Sequence, residues 1–189
     1  MAKVDYEIPE LKEYPVIPKL KKDAMAHSAP YVAKEKFQTP LGYAGELVDN
    51  WQEVAIAKMG ELTTKYRSLS VFLDSCVKCG ACTDKCHYYL GTTDPKNMPV
   101  ARQDLFRNVY RRYFTLAGKL VPKLVGAQDL TEEVLDDWYT YFHQCSQCRR
   151  CSVYCPYGID TAEISMAARE VMATVGKGQK YCNEIIGKA

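Results

Sequence analysis

The sequence has no run approaching the roughly 18 apolar residues that a membrane span requires. It has no excess of one charge: 25 basic against 23 acidic residues leave a formal +2, so net charge marks neither a nucleic acid nor a membrane surface as its partner. The first residues, MAKVDYEIPE, contain no apolar signal-peptide core. There is no G-x-G-x-x-G, no phosphate-binding Walker loop and no Ser-His-Asp candidate. The three histidines, His27, His87 and His143, show no catalytic spacing, so no catalytic residue is assigned. Strand-type alternation is hard to find, which excludes an all-β class and leaves an all-α one. The nine cysteines in 189 residues are too sparse for a disulfide scaffold and too odd in number to pair fully. In a chain kept in the reducing cytoplasm, that many thiols point to metal ligands.

Three regions follow from the pattern of the remaining residues. Residues 1–45 carry five of the nine prolines, Pro9, Pro15, Pro18, Pro30 and Pro40, and read as an extended arm. Apolar residues such as Tyr6, Ile8, Tyr14, Ile17 and Phe37 favour an arm laid on its own domain or on a partner over a free tail. Residues 46–180 form the domain, and residues 181–189 a C-terminal tail and possible truncation point. In the domain, Leu47, Trp51, Val54, Met59, Leu62 and Tyr66 recur at helical steps from Glu46 to about Ser68, and Leu69 to Leu73 continue apolar into the first cysteines. A second helix opens at Pro99 and is expected to stop at Gly118. A third is capped by Thr131. A last one starts at Asp160 or Thr161, with Glu163 placed to complete a capping box, and stops at Gly176.

Eight cysteines fall into two segments of identical spacing. Cys76, Cys79, Cys82 and Cys86 form the first C-x2-C-x2-C-x3-C; Cys145, Cys148, Cys151 and Cys155 form the second, which is followed by Pro156. This is the spacing of [4Fe–4S] ligation. Three cysteines on one tight loop cap three corners of a cubane. The fourth points away and, in two-cluster ferredoxins, serves the other cluster. One set is then Cys76, Cys79, Cys82 and Cys155; the other is Cys145, Cys148, Cys151 and Cys86. Each closes a loop of roughly 70 residues, so metal binding and folding are coupled. A pair of four-cysteine zinc sites is the competing reading, disfavoured because zinc favours separated pairs. With two clusters adding about −4, the holo-protein lies near −2.

The neighbours of these cysteines carry weaker signals. Gly80 relieves crowding in the first loop. Lys78, Lys85, Arg149 and Arg150 lie inside the loops, either raising cluster potential or simply solvated. Tyr88, Tyr89, Tyr139, Tyr141, Tyr154 and Tyr157 read as packing that excludes water, and His87 as a packing or capping residue. Arg107, Arg111 and Arg112 fit a docking surface. Cys182, outside both motifs, is a free thiol or a ligand for a feature this chain does not contain.

Helices before and between two cubane motifs resemble the helical ferredoxin fold. The stretches CVKCGACTDKCHYYLGTTDPKNMPVARQDLFRNVYRR and FHQCSQCRRCSVYCPYGIDTAEISMAARE resemble DsrK, the heterodisulfide reductase-like iron–sulfur subunit of the Dsr sulfite-reduction-associated membrane complex. The resemblance covers roughly residues 46–176. It implies an all-α helical ferredoxin domain with two [4Fe–4S] clusters, here following the extended arm of residues 1–45, which the resemblance does not cover. It also implies a cytoplasmic chain, peripheral on the inner membrane through a cytochrome b-type subunit and other Dsr subunits. Its electrons would pass between quinone-linked haems and the disulfide or trisulfide of a small DsrC-type sulfur carrier. No CCG-type catalytic cysteine pattern occurs here, so no reductase activity is expected of this chain alone. Two other classes stand beside electron transfer: an iron–sulfur docking module that never turns over, and the iron–sulfur subunit of a flavin dehydrogenase. The absent C-x4-C-x2-C segment argues against the succinate-type version of the latter.

Overall fold

A computed structural model describes residues 47–178. The arm, the tail, His27 and Cys182 lie outside the described residues. Among those described the chain is helical and contains no strand, in line with the all-α expectation.

The helical pattern that enters the first motif is two helices and not one. Helix α1 is Trp51–Lys65 and α2 is Arg67–Ser75. Tyr66 between them is extended, with φ −110° and ψ 92°. Its N–H still closes α1 on the Leu62 carbonyl at 2.8 Å. The break lets Leu69 and Leu73 of α2 reach the same core as Ala55, Met59 and Leu62 of α1. A straight helix would carry them along its axis and out of contact.

After the first motif come α3 (His87–Thr92), α4 (Pro99–Phe114), α5 (Leu116–Leu120) and α6 (Pro122–Val125). Pro99 is the first residue of α4, where its missing N–H has no intrahelical use. Gly118 does not stop this helix. Helix α4 ends at Phe114, Thr115 turns the chain and caps α5 by accepting from the Gly118 N–H, and Gly118 lies inside α5. A β-carbon there would sit 1.9 Å from the Arg111 carbonyl oxygen. Glycine is demanded by the approach of α5 to the end of α4.

Helix α7 is Glu132–His143, α8 is Arg150–Val153 and α9 is Thr161–Thr174. Thr131 caps α7 as expected, accepting from the Val134 N–H at 3.3 Å. Asp160 caps α9, accepting from Ala162 N–H at 2.9 Å. The capping box does not close, because Glu163 accepts the Ser68 hydroxyl of α2 instead. Gly176, at φ 87°, stops the chain after α9, and Lys177 N–H reaches back to the Met172 carbonyl at 2.9 Å.

Helix α9 is the central element, packing against α1, α2, α4 and α7. Its Ile164, Ala168, Val171 and Met172 are fully buried. Between α4 and α7, Phe106 stacks on Trp138 with centroids 5.1 Å apart, and Phe142 meets both rings edge-on. The Trp138 indole N–H donates to the Leu105 carbonyl at 3.0 Å, so the polar end of this buried ring is satisfied. No helix among the described residues is long and apolar enough to cross a membrane.

Gly118→Ala is expected to lower stability by about 2 kcal/mol or more, since the intruding atom faces a backbone carbonyl that cannot step aside. Gly91→Ala, which meets nothing within 4 Å, is expected to be neutral or to stabilise by up to about 1 kcal/mol. Denaturant unfolding of the two variants side by side measures the difference.

Candidate metal centre

The two cysteine loops are wound alike. In the first, Lys78 (φ 57°) and Gly80 (φ 78°) are left-handed; in the second, Gln147 (φ 56°) and Arg149 (φ 58°) are. These are the second and fourth residues after the leading cysteine in each case. A side chain in this conformation costs about 1 kcal/mol. Three such residues held at matching places mark a backbone shape that both loops need. Reversals of this kind turn successive N–H groups inward and form concavities suited to anions. In the second loop the Gln147 N–H donates to Cys145 Sγ at 3.4 Å. Each loop then enters one short helical turn before its fourth cysteine, Thr83–Lys85 in the first and α8 in the second, and the two turns touch.

The loops meet so that their cysteines line two open concavities. One, of about 370 Å³, is bordered by Cys76, Cys79, Cys82 and Cys155. The other, of about 330 Å³, is bordered by Cys86, Cys145, Cys148 and Cys151. Cys151 also borders the first, so the two spaces adjoin. Among the described residues, no three cysteine, histidine or carboxylate side chains gather around one ion position. Zinc draws its thiolates to about 2.3 Å, whereas these cysteines are spread around the rims of the two spaces.

The helices supply the walls. Val100, at the start of α4, directs its N–H to Cys82, and the Thr161 and Ser152 hydroxyls bond Cys151. Burial nevertheless pushes the Cys82 thiol up to about 11, with Cys151 adding to the effect. Burial raises the Cys151 thiol as well. In the free-thiol state both therefore keep their protons at neutral pH and release them only to a metal. His87, exposed on α3, bridges the motifs: Nε2 lies 3.3 Å from Ser146 Oγ, and Nδ1 lies 4.0 Å from Cys148 Sγ. His143, behind the second loop, is held uncharged by burial and by Arg169, with its pKa lowered to about 4.

The loop cations follow the solvated alternative, whereas other arginines are placed differently from expectation. The loop cations are solvated or paired at the surface: Lys78 with Asp104, Lys85 with Asp84 and Arg149 with Asp160, while Arg150 is exposed. Arg107, grouped above with Arg111 and Arg112 as a docking surface, is fully buried. It donates to the Cys76 carbonyl at 2.9 Å and pairs with Asp104. Arg102 is buried too and borders the second concavity. Arg169 reaches from α9 to the carbonyls of Phe142 and Cys145. Sequence reasoning missed Arg102 and Arg169. They stand at helical steps among apolar residues, and that placement was the signal available. Enclosing a guanidinium without a counter-charge costs several kcal/mol. The unpaired, buried Arg102 at the second thiol-lined space thus fits an anionic occupant, and a four-thiolate cubane carries about −2. Tyr154 and Tyr157 do not exclude water as expected; they are 51% and 54% exposed, and Tyr154 lies under Lys85. Tyr141 is buried and donates to Asp94 at 2.8 Å.

Arg107→Met is expected to destabilise by about 3 kcal/mol, because it frees the Cys76 carbonyl and leaves Asp104 without its inner partner. Urea denaturation checks this.

Residues 72–159 match the family described as a 4Fe-4S dicluster domain. The chain is 51% identical over 156 residues to the Hdr-like menaquinol oxidoreductase iron–sulfur subunit 2 of Archaeoglobus fulgidus, covering 79% of this chain and 28% of the relative. It is 44% identical over 200 residues to the corresponding iron–sulfur subunit of Archaeoglobus profundus, covering 96% and 36%. To a subunit of the dihydromethanophenazine:CoB–CoM heterodisulfide reductase of Methanosarcina barkeri it is 31% identical over 106 residues, covering 56% and 25%. The chain thus spans about a third of the length of these curated relatives. No solved structure matches it.

Proposed function

We propose that this chain, a 4Fe-4S dicluster domain akin to Hdr-like iron–sulfur subunits, is an electron-transfer module that holds two [4Fe–4S] clusters. Cys76, Cys79, Cys82 and Cys155 would ligate one, and Cys145, Cys148, Cys151 and Cys86 the other. One observation carries this reading: each concavity is bordered by three cysteines of one motif and the fourth of its twin. Bound cubanes supply one-electron storage. The residues of the chain do the rest. The left-handed loop positions turn backbone N–H groups inward, Val100, Ser152 and Thr161 bond the sulfurs, and helices α4 and α9 close the inner side against water.

The finer assignment comes from resemblance. It makes the chain part of a larger oxidoreductase of the DsrK kind, without catalytic residues of its own. It would lie on the cytoplasmic face of the membrane against a cytochrome b-type subunit, and pass electrons between quinol and a disulfide or trisulfide such as that of a DsrC-type carrier. The name of the Archaeoglobus relatives, menaquinol oxidoreductase, supports the quinol end. That of the Methanosarcina relative, heterodisulfide reductase, supports the disulfide end.

Cys148→Ser is expected to remove or convert one cluster, lowering iron and acid-labile sulfide by up to about half. Two unchanged cubane EPR signals would overturn the ligand assignment. In the unsubstituted protein, reversible reduction by low-potential donors is expected. Clusters that resist reduction would make the role structural.

A further inference from the structure

The two concavities differ in the charge behind them. At the first, Arg107 is the buried cation bonded to the Cys76 carbonyl, and Asp104 neutralises it while also taking Lys78. At the second, Arg102 is 2% exposed and borders the space directly. Its Nη2 donates to Asn97 O and Oδ1, each at 3.2 Å, and its Nε has no partner. Arg169 donates from Nε and Nη2 to the Phe142 carbonyl at 3.0 and 2.6 Å, and to the carbonyl of Cys145. Neither Arg102 nor Arg169 has a carboxylate partner among the described residues, and the two repel one another. The other cations around the second space, Lys85 and Arg149, are paired with Asp84 and Asp160.

We propose that Arg102, backed by Arg169, makes the Cys86–Cys145–Cys148–Cys151 side the first to be reduced, and so fixes the order in which the two sites take up electrons. This rests on the two-cluster reading. Reduction adds a negative charge to a centre whose oxidised form is already anionic. A buried cation with no counter-ion favours that added charge through a medium of low effective dielectric. The Arg107–Asp104–Lys78 group carries one unmatched positive charge, but that charge rests on Lys78, whose side chain is 54% exposed and screened by water. The Arg107–Asp104 pair behind it acts as a dipole, whose effect falls off faster with distance. Arg102 and Arg169 therefore draw an electron that arrives at the first concavity toward the second. Both act as positioning charges and need not touch a reacting partner.

The test is an EPR-monitored potentiometric titration of the full 189-residue chain, reconstituted anaerobically. Iron and acid-labile sulfide are measured first. Fewer than two cubanes per chain would overturn the underlying reading, and this inference with it. With two cubanes present, the higher-potential signal is expected to be the one that Cys148→Ser disturbs. Arg102→Gln is expected to weaken reduction at that signal at least tenfold, about 59 mV for a one-electron couple, and to leave the other in place. Arg102→Lys is expected to restore most of the shift, which a purely structural role would not do. Should Arg102→Gln fail to hold both clusters, Asp104→Asn tests the same asymmetry from the other side: leaving Arg107 unpaired is expected to raise the other signal and narrow the gap. A higher potential at the signal that Cys148→Ser spares overturns the inference alone. So do equal shifts of both signals, or none, in Arg102→Gln.

Discussion

Two cysteine loops that are distant in sequence have to meet at a fixed offset, and the rest of the fold answers to that requirement. Helix α4 begins beside the first loop, at Val100 near Cys82, and carries Arg107 back to the carbonyl of Cys76. Helix α9 begins beside the second loop, with Thr161 on Cys151, and carries Arg169 to the carbonyl of Cys145. The two helices pack on each other in the core. Their contact therefore sets the distance between the loops. The aromatic group of Phe106, Trp138 and Phe142 fixes the same contact from the side of α7. Apolar packing far from the thiols is thus what aligns them.

The inward-facing arginines, Arg107 buried and Arg169 partly so, belong to this frame as well as to its electrostatics. A guanidinium holds several carbonyls at once through rigid donors, and Arg107 and Arg169 each tie a loop carbonyl to a core helix. Such residues would be poor choices for a purely apolar interior, because their desolvation is unfavourable. Here they lie where an anionic body would offset it. The frame is accordingly matched to the charge of what it holds, and fold stability and occupancy are linked.

Much of this was legible in the residues. The doubled spacing located the eight thiols, and Thr131 and Gly176 marked helix ends, because motif and cap chemistry are local. Tertiary demands were less visible. Tyr66 breaks a helical pattern so that Leu69 and Leu73 can share one core. Gly118 resembles a stop signal, yet its hydrogen atom faces the Arg111 carbonyl. Arg107 was read as surface from its charge, although its place on the inward face of α4 governs. Glu163 had the spacing of a capping box but was drawn to Ser68 of another helix. In each case a long-range partner outweighed a correct local preference.

The matched left-handed residues of the two loops carry a further meaning. Lys78 and Gly80 correspond to Gln147 and Arg149, and each loop lends its last cysteine to the space formed chiefly by its twin. Backbone movement in either loop is therefore felt on both sides. Side chains on α4 that face one space more than the other, Arg102 above all, add to the differences between the loops' own side chains. The two motifs thus share a backbone shape, while side chains on the loops and on α4 distinguish the halves.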